Sequence, residues 1–155
     1  MSGPRVDQIN VVVGDVEGAA RFLIGLGVDL PPSPSGWEAH HRPISTATSL
    51  HGGHDLVEAA FGIELDSTAF AQRWGGLAPS FNGVVLNLRV DERSEVDRLH
   101  EFALSLGGRS VDMPYDAFWG SRYAVVEGPG PLVIGLMSVP DQSHRGAPPD
   151  PATFG

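Results

Sequence analysis

The amino-acid sequence predicts an α+β fold in which one domain of 155 residues contains two copies of a strand–helix–strand unit. Short runs of β-branched residues alternate with two amphipathic stretches, a pattern typical of strands and helices that share one core. Twenty glycines and thirteen prolines divide the chain into short elements. The order of elements in the second half repeats the order in the first, which favours a duplicated fold.

Composition narrows the classes of function. The chain carries ten Lys and Arg against nineteen Asp and Glu, a net charge of −9, so nucleic acid and anionic membranes are poor partners. The sequence contains no cysteine, which excludes disulfides, thiolate metal sites and a cysteine nucleophile. Its apolar runs are too short for a secretory or membrane segment, and we therefore expect a soluble protein of the cytoplasm.

The first half begins with a strand and a helix. β-branched residues crowd residues 6–13, which predicts a strand, and Asp15 follows as a helix N-cap. Gly27 is in position to end the helix. The apolar stripe of this helix has helical spacing and consists of Val16, Ala19, Ala20, Leu23 and Leu26.

The rest of the first half is predicted to contain strands and a short helix. Residues 37–44 form a predicted strand, and residues 45–53 a polar turn region. Residues 55–66 predict one or two further strands, with Gly62 as a break or bulge. A short helix follows over residues 67–74 and ends at the next two glycines.

The second half starts the same pattern again. Residues 83–90 predict a strand, Ser94 with Asp97 resembles a capping box, and Gly107 ends the helix. The apolar stripe of this helix consists of Val96, Leu99, Ala103 and Leu106. The three further predicted strands span residues 110–113, 122–127 and 132–138.

The two halves align on each other as modules of a single domain. Asn10 corresponds to Asn87 within the first strand of each half, and Gly27 corresponds to Gly107 after each helix. We therefore expect two βαβββ modules, over about residues 6–77 and 83–138. The Pro-, Asp-, Gly- and Ala-rich tail over residues 139–155 is expected to be mobile or to lie on the surface.

Four segments of the second half resemble a known superfamily. They are VLNLRVD (residues 85–91), EVDRL (95–99), FWGSRYAVV (118–126) and GPGPLVIGLM (128–137). With the duplicated order of elements, they resemble the vicinal-oxygen-chelate superfamily of glyoxalase I, bleomycin-resistance proteins, fosfomycin-resistance enzymes and extradiol dioxygenases. The resemblance covers about residues 6–138 and is greatest to the bleomycin-resistance-type branch. It implies a half-open β-barrel cup and a homodimer.

The resemblance also bears on metal binding. It places Gln8 and Glu64 at the two ligand positions of the first module, and Val85 and Gly135 at those of the second. Neither Val85 nor Gly135 offers a side-chain ligand, and two protein ligands are too few for a catalytic centre. We therefore expect no metal and no other cofactor, with Gln8 and Glu64 as remnant positions that face a wet cup.

An aromatic stretch is the best candidate for a binding site. Residues 115–123 hold four aromatic rings and Arg122, in a chain whose aromatic content is 8%. A rigid aromatic wall that carries one cation suits a planar or anionic small molecule. The alternative for Trp119 and Arg122 is a purely structural role. The full aromatic set proposed as the pocket wall is Trp37, Trp74, Phe81, Tyr115, Phe118 and Trp119.

Polar residues that are candidates for ligand or metal binding lie on the predicted strands and in one turn. Asn87 faces inward if Val85 does, because side chains alternate along a strand. His40 and His41 are adjacent on a predicted strand, so one of them can face the pocket as a hydrogen-bonding or proton-transfer group. His51 and His54 lie in a glycine-rich turn of metal-like composition, but such turns are usually only exposed.

Three functions follow from these observations. The leading hypothesis is a dimeric, metal-independent binding protein of the bleomycin-resistance type that sequesters an aromatic or cationic compound. The rival is a glyoxalase-like lyase or isomerase, or a dioxygenase-related enzyme. It would use a divalent metal, or acid–base chemistry by His40 or His41 with Glu64. The third is an interaction module whose dimer face is its only function.

Overall fold

The computed structural model describes residues 3–45, 62–130 and 132–154, and within them the chain forms a mixed α+β fold. Three α-helices accompany the described strands: α1 (Val16–Gly25), α2 (Thr68–Gly75) and α3 (Arg93–Ser105). The seven described strands are β1 (Arg5–Val13), β2 (His41–Ser45), β3 (Gly62–Ser67), β4 (Gly83–Val90), β5 (Arg109–Asp116), β6 (Arg122–Glu127) and β7 (Val133–Ser138). No described helix has the length and apolarity needed to span a membrane.

All seven described strands join one open sheet in the order β2-β3-β1-β4-β7-β6-β5. The two halves meet where β1 pairs antiparallel with β4, so one chain supplies both sides of the sheet. Within each half the first and last described strands are parallel, β1 with β3 and β4 with β7. The second half follows the predicted order β-α-β-β-β, and residues 46–61 of the first half lie outside the described part of the chain.

The helix ends agree with the predicted caps in the first half and differ in the second. Asp15 caps α1 and its carboxylate accepts a hydrogen bond from the Gly18 amide at 2.8 Å. Ser67 caps α2 in the same way. The capping box predicted at Ser94 is wrong, because α3 begins after Glu92 and has no side-chain cap.

Apolar residues alternate between the two faces of the sheet. Along β6, Val125 packs on the inner face, whereas Ala124 and Val126 pack on the outer face against α3. Helix α1 covers the other end of the outer face through Val16 and Ala20. The inner face is left to one cluster that contains Val12, Ala71, Leu77, Val85, Ala117, Tyr123, Val125, Val133 and Met137.

Strand β2 begins later than predicted. Residues 37–40 form a turn in which the Trp37 carbonyl accepts hydrogen bonds from the His40 and His41 amides, both at 2.9 Å. The expectation of two adjacent strand histidines is therefore wrong, since His40 precedes the strand. The predicted polar turn with His51 and His54, and the predicted strand residues before Gly62, lie outside the described residues.

Candidate functional site

A cavity of about 560 Å³ opens on the inner face of the sheet, between the two halves of the chain, and is called the cup below. Its size is that of a small-molecule site. Strands of both halves supply its base, and loops and α2 supply its rim. The aromatic side chains that line the cup are Trp37, Phe70, Trp74, Phe118, Trp119 and Tyr123.

The rings of the cup contact one another in a continuous wall. Trp37, in the loop before β2, stacks on Phe118, in the loop after β5, with centroids 6.0 Å apart and planes inclined by 25°. Trp74 lies 5.5 Å from Phe118 and 4.7 Å from Phe70, also between centroids. Trp119 meets Phe118 edge-on at 5.2 Å. Loops of both halves are thus joined by rings that hold each other in position.

Strand alternation brings polar side chains to the base of the cup. Gln8 and Asn10 are two residues apart on β1, and Glu64 and Asp66 are two residues apart on β3, so each pair shares a face. The strands are in register, with Asn10 opposite Glu64. All four of these residues line the cup. The β-sheet register therefore assembles an acidic and amide-rich floor from residues 56 positions apart in sequence.

Hydrogen bonds link the floor from one half to the other. Asn87 donates to Asn10 Oδ1 at 2.6 Å, and Asn10 donates to Asp66 Oδ2 at 2.6 Å. Burial raises the pKa of Tyr123, so its hydroxyl stays protonated and donates to Asn87 Oδ1 at 3.2 Å. Gln8 donates to Glu64 Oε2 at 2.9 Å. The floor is one network of mutually bonded side chains.

His41 lies between the two carboxylates of the floor. Its Nδ1 is 2.6 Å from Asp66 Oδ1 and its Nε2 is 3.1 Å from Glu64 Oε2. Burial opposes a charge on the ring, but the hydrogen bond to Asp66 and the negative charges of Asp66 and Glu64 raise the pKa of His41 to about 9. The ring is therefore an imidazolium at neutral pH. Burial also raises the pKa of Glu64, and the His41 charge counteracts that rise.

The second half lacks the metal ligands of the resembled family for a structural reason. Gly135 pairs with Asn87 as Glu64 pairs with Asn10, so Gly135 is the counterpart of Glu64. A Cβ atom built on Gly135 would overlap Asn87 Oδ1 and lie 2.7 Å from the Tyr123 hydroxyl. The space of a second-half ligand is thus filled by the Tyr123–Asn87 hydrogen bond. A metal centre shared by both halves does not fit these residues.

The first half does offer a donor set for a divalent cation. One ligand atom each from His41, Glu64 and Asp66 can be chosen so that all three lie within 4.8 Å of one another. These residue types suit Zn²⁺, Mn²⁺ or Ni²⁺. A cation held there would have to displace the proton that His41 carries on the nitrogen it offers.

Most of the expected binding residues converge on the cup. The members of the expected set that line it are Trp37, His41, Trp74, Asn87, Phe118 and Trp119. Residues that the sequence analysis did not single out include Phe70, Asn10 and Asp66. The residue spacing indicated all three: Phe70 is four residues before Trp74 on one helix face, Asp66 is two residues after Glu64 on one strand face, and Asn10 is two residues after Gln8 on another.

Four expected binding or pocket-wall residues lie outside the lining of the cup, and one of them, Phe81, packs against the core cluster of the inner face. Arg122 binds Asp97 through two hydrogen bonds, of 2.7 and 3.0 Å, and also contacts Asp116, so the guanidinium joins β6 to α3. Tyr115 donates to the Trp74 carbonyl at 2.7 Å and holds α2 against the sheet. His40 bonds the Ser67 hydroxyl at 3.0 Å. Their contacts assign them to the framework around the cup.

Comparison with known proteins identifies the fold. No protein-family model and no curated protein matches the sequence. Among solved structures, a glyoxalase/bleomycin resistance protein/dioxygenase superfamily member from Vibrio splendidus is similar over 88% of this chain and 100% of its own, with a TM-score of 0.53 and 13% identity. The Mn(II)-bound glyoxalase from Novosphingobium aromaticivorans is similar over 95% of this chain and 41% of its own, with a TM-score of 0.52 and 20% identity.

A third structure, from Legionella pneumophila and described as an NAD-dependent benzaldehyde dehydrogenase, gives a TM-score of 0.56 at 13% identity over 85% of this chain and 97% of its own. At these identities the likeness concerns the fold. The chain has the fold of the glyoxalase/bleomycin resistance protein/dioxygenase superfamily, the vicinal-oxygen-chelate superfamily that its sequence resembles.

Proposed function

We propose that this chain is a metal-independent binding protein of the bleomycin-resistance type, which sequesters a planar aromatic compound that carries a cationic group. The observation that carries the proposal is the cup itself, an aromatic wall that closes on an acidic floor. Stacking between rings gives affinity without any reaction, and a few fixed polar groups give orientation.

The charge of the floor supports a cationic ligand group. Glu64 and Asp66 face a single imidazolium, His41, so this group carries one net negative charge when both carboxylates are ionised. Two arginines also line the cup: the Arg89 guanidinium is paired with Asp7 at 2.7 Å, and Arg145 lies on the segment after β7, away from the floor strands. An amine or iminium near Glu64 would balance the floor, and the surrounding rings would attract the same charge through their π faces.

The hydrogen bonds of the floor support a metal-independent role. His41 satisfies one oxygen of each carboxylate, and the amides of Gln8 and Asn10 donate to Glu64 and Asp66 respectively. Buried polar groups that already bond one another have no need of an ion for their stability. The second half adds no metal ligand, because Asn87 and Tyr123 occupy the space next to Gly135.

Dye binding tests the proposal. Proflavine, a planar tricyclic cation, is expected to bind in one-to-one stoichiometry and more tightly than anthracene-9-carboxylate, a planar tricyclic anion. Trp37→Ala should weaken proflavine binding about fivefold, since it removes a stacking surface worth about 1 kcal/mol. Fluorescence titration gives the affinities, and thermal melting verifies that the variant is folded.

A surface aromatic provides the matched control. Phe102 is 54% exposed on α3, so Phe102→Ala should leave proflavine binding unchanged. If neither dye binds, or if Trp37→Ala and Phe102→Ala bind proflavine as the wild type does, the cup is not the binding site and the proposal fails.

A second candidate function is a glyoxalase-like lyase or isomerase that holds a divalent metal in the first half. The specific observation in its favour is the convergence of His41, Glu64 and Asp66. A bound metal would supply Lewis-acid polarisation of vicinal oxygens. Within the chain, Asp66 would orient the His41 ring through Nδ1, and the aromatic wall would exclude water.

Metal titration separates the two candidates. In the metal-dependent case, calorimetry with Mn²⁺, Ni²⁺ and Zn²⁺ should show one site whose affinity rises with pH, because the metal competes with the His41 proton. His41→Gln should abolish this binding and His40→Gln should retain it. Binding that is undetectable in the wild type, or equal in the two variants, removes this candidate.

Three further parts of the proposal come from the sequence, the second of them from its family resemblance. They are a complete βαβββ module in the first half, a homodimer, and a location in the cytoplasm. A homodimer would give a mass of two chains in light scattering, and a mass of one chain would contradict it.

A further inference from the structure

We propose that the C-terminal strap, residues 140–148, is a movable wall of the cup that slows the release of bound ligand. The inference rests on the proposed function, since it needs a ligand in the cup. It adds a gating element that lies beyond the last strand and outside the two modules.

The strap forms part of the cavity surface. Pro140, Arg145, Gly146 and Pro148 line the cup together with the aromatic wall. Residues 141–148 are nonetheless exposed to solvent, so the segment has one side towards the cavity and one towards water. A segment in this position covers a ligand without belonging to the core.

The strap is attached to the loop that carries the aromatic wall. The Gly146 amide donates to the Phe118 carbonyl at 2.9 Å, and the Asp141 amide donates to the Gly120 carbonyl at 3.0 Å. Both acceptors belong to the loop between β5 and β6. The strap is therefore bonded to the backbone of the residue whose ring stacks on Trp37.

Gly120 permits the close contact between this loop and the strap. Its φ is +98°, and a Cβ atom built there would lie 2.6 Å from the Asp141 carbonyl oxygen and 3.2 Å from the Asp141 nitrogen. Another side chain at this position would push the strap away and strain the backbone. The absence of a side chain at Gly120, in the FWGSRY segment, thus allows the strap to contact this loop closely.

The strap keeps its shape through local bonds. The Asp141 carboxylate accepts hydrogen bonds from the Ser143 amide at 2.9 Å and the Ser143 hydroxyl at 2.8 Å, which fixes a short turn. All of residues 141–148 are exposed, so the turn has no buried apolar anchor. A segment with few buried contacts opens at low free-energy cost while the sheet stays folded.

Beyond the strap the chain returns to the first half. A Cβ atom built on Gly36 would lie 3.6 Å from the Pro151 ring, so the chain passes next to the loop that carries Trp37. The strap is therefore held at the Phe118 loop at one end and directed to the Trp37 loop at the other. The strap itself is bonded to the Phe118 loop, and Pro151, three residues after it, lies next to the Trp37 loop.

Two truncations test the role of the strap with proflavine as the probe. A chain that ends at Val139 lacks the whole strap, whereas a chain that ends at Pro149 keeps every strap residue that lines the cup. Stopped-flow displacement should show that proflavine leaves the first variant at least tenfold faster than the full chain. The second variant should release it within about threefold of the full chain, because the bonds to Phe118 and Gly120 remain.

The outcomes separate this inference from the proposed function. If the full chain does not bind proflavine, the proposed function fails. If it binds and the Val139-ending chain releases the dye at the full-chain rate, only the strap proposal is overturned. Equal acceleration in both truncations also overturns it, since the effect would then come from the last six residues. Should the short chain not fold, Asp141→Ala decides: loss of the turn should raise the release rate severalfold, and an unchanged rate contradicts a gating strap.

Discussion

Asp66→Ala is expected to destabilise the protein by about 3–5 kcal/mol, the usual cost of removing one partner from a buried charged pair. The Asp66 side chain is 6% exposed and accepts hydrogen bonds from Asn10 and His41, each at 2.6 Å. Its loss leaves a buried imidazolium and a buried amide without their acceptor. Urea unfolding followed by tryptophan fluorescence measures the free energy of unfolding.

An exposed aspartate of the same kind provides the control. Asp97 also pairs with a cation, Arg122, but its side chain is 47% exposed, so Asp97→Ala should cost no more than about 1 kcal/mol. Both substitutions remove a carboxylate that binds a charged partner. The difference between their losses in free energy of unfolding therefore measures the effect of burial. Equal losses in the two variants would show that the floor network contributes nothing beyond a surface ion pair.

The stability of the protein is expected to fall as pH rises from about 6.5 to about 9. The pKa of His41 is raised to about 9 in the folded chain, against 6.5 for an unperturbed histidine. The folded state thus holds this proton more tightly than the unfolded state, and the resulting stabilisation is complete below pH 6.5. It disappears as pH passes the folded pKa, a loss of about 3 kcal/mol for a shift of this size.

The neighbouring residue His40 provides a control that assigns the pH dependence to His41. Urea unfolding at pH 6, 7.5 and 9.5 should show the decline in the wild type and in His40→Gln, but a much smaller decline in His41→Gln. The raised pKa of Glu64 acts in the same direction, and its stabilising contribution is complete below its ordinary pKa of 4.5. A wild-type free energy of unfolding that is flat over this interval would contradict the imidazolium bridge.

Local sequence signals predicted the elements of the fold well where the pattern was strong. Strands β4 and β6 have the predicted bounds, and Asp15 caps α1 as expected. The start of β2 was mispredicted because Gly36 adopts a φ of +84° and the following turn bonds to the Trp37 carbonyl. The hydrogen bonds to the Trp37 carbonyl form a turn in place of the first predicted strand residues, so the strand begins at His41.

The sequence predicted the site in part, because some of its residues follow from strand alternation and others depend on contacts between segments that are distant in sequence. Strand alternation correctly placed Asn87 inward, and the same rule applied to Glu64 would have identified Asp66. The predicted strand ends at Asp66, next to the predicted helix, so Asp66 was not proposed as a site residue; Ser67 caps that helix. Arg122 stands among aromatic residues in sequence, yet its ion pair with Asp97 depends on a helix 25 positions away. Sequence neighbours do not report such a contact.

The glycine at position 135 has a consequence for how this protein can evolve. A glutamate there would meet Asn87 and the Tyr123 hydroxyl, so a single substitution disrupts the packing before it can create any new coordination. A cation centre that used a side chain at position 135 would therefore require replacement of Asn87 or Tyr123 as well. Single substitutions are therefore more easily accepted in the aromatic rim of the cup, where each can change which compound binds.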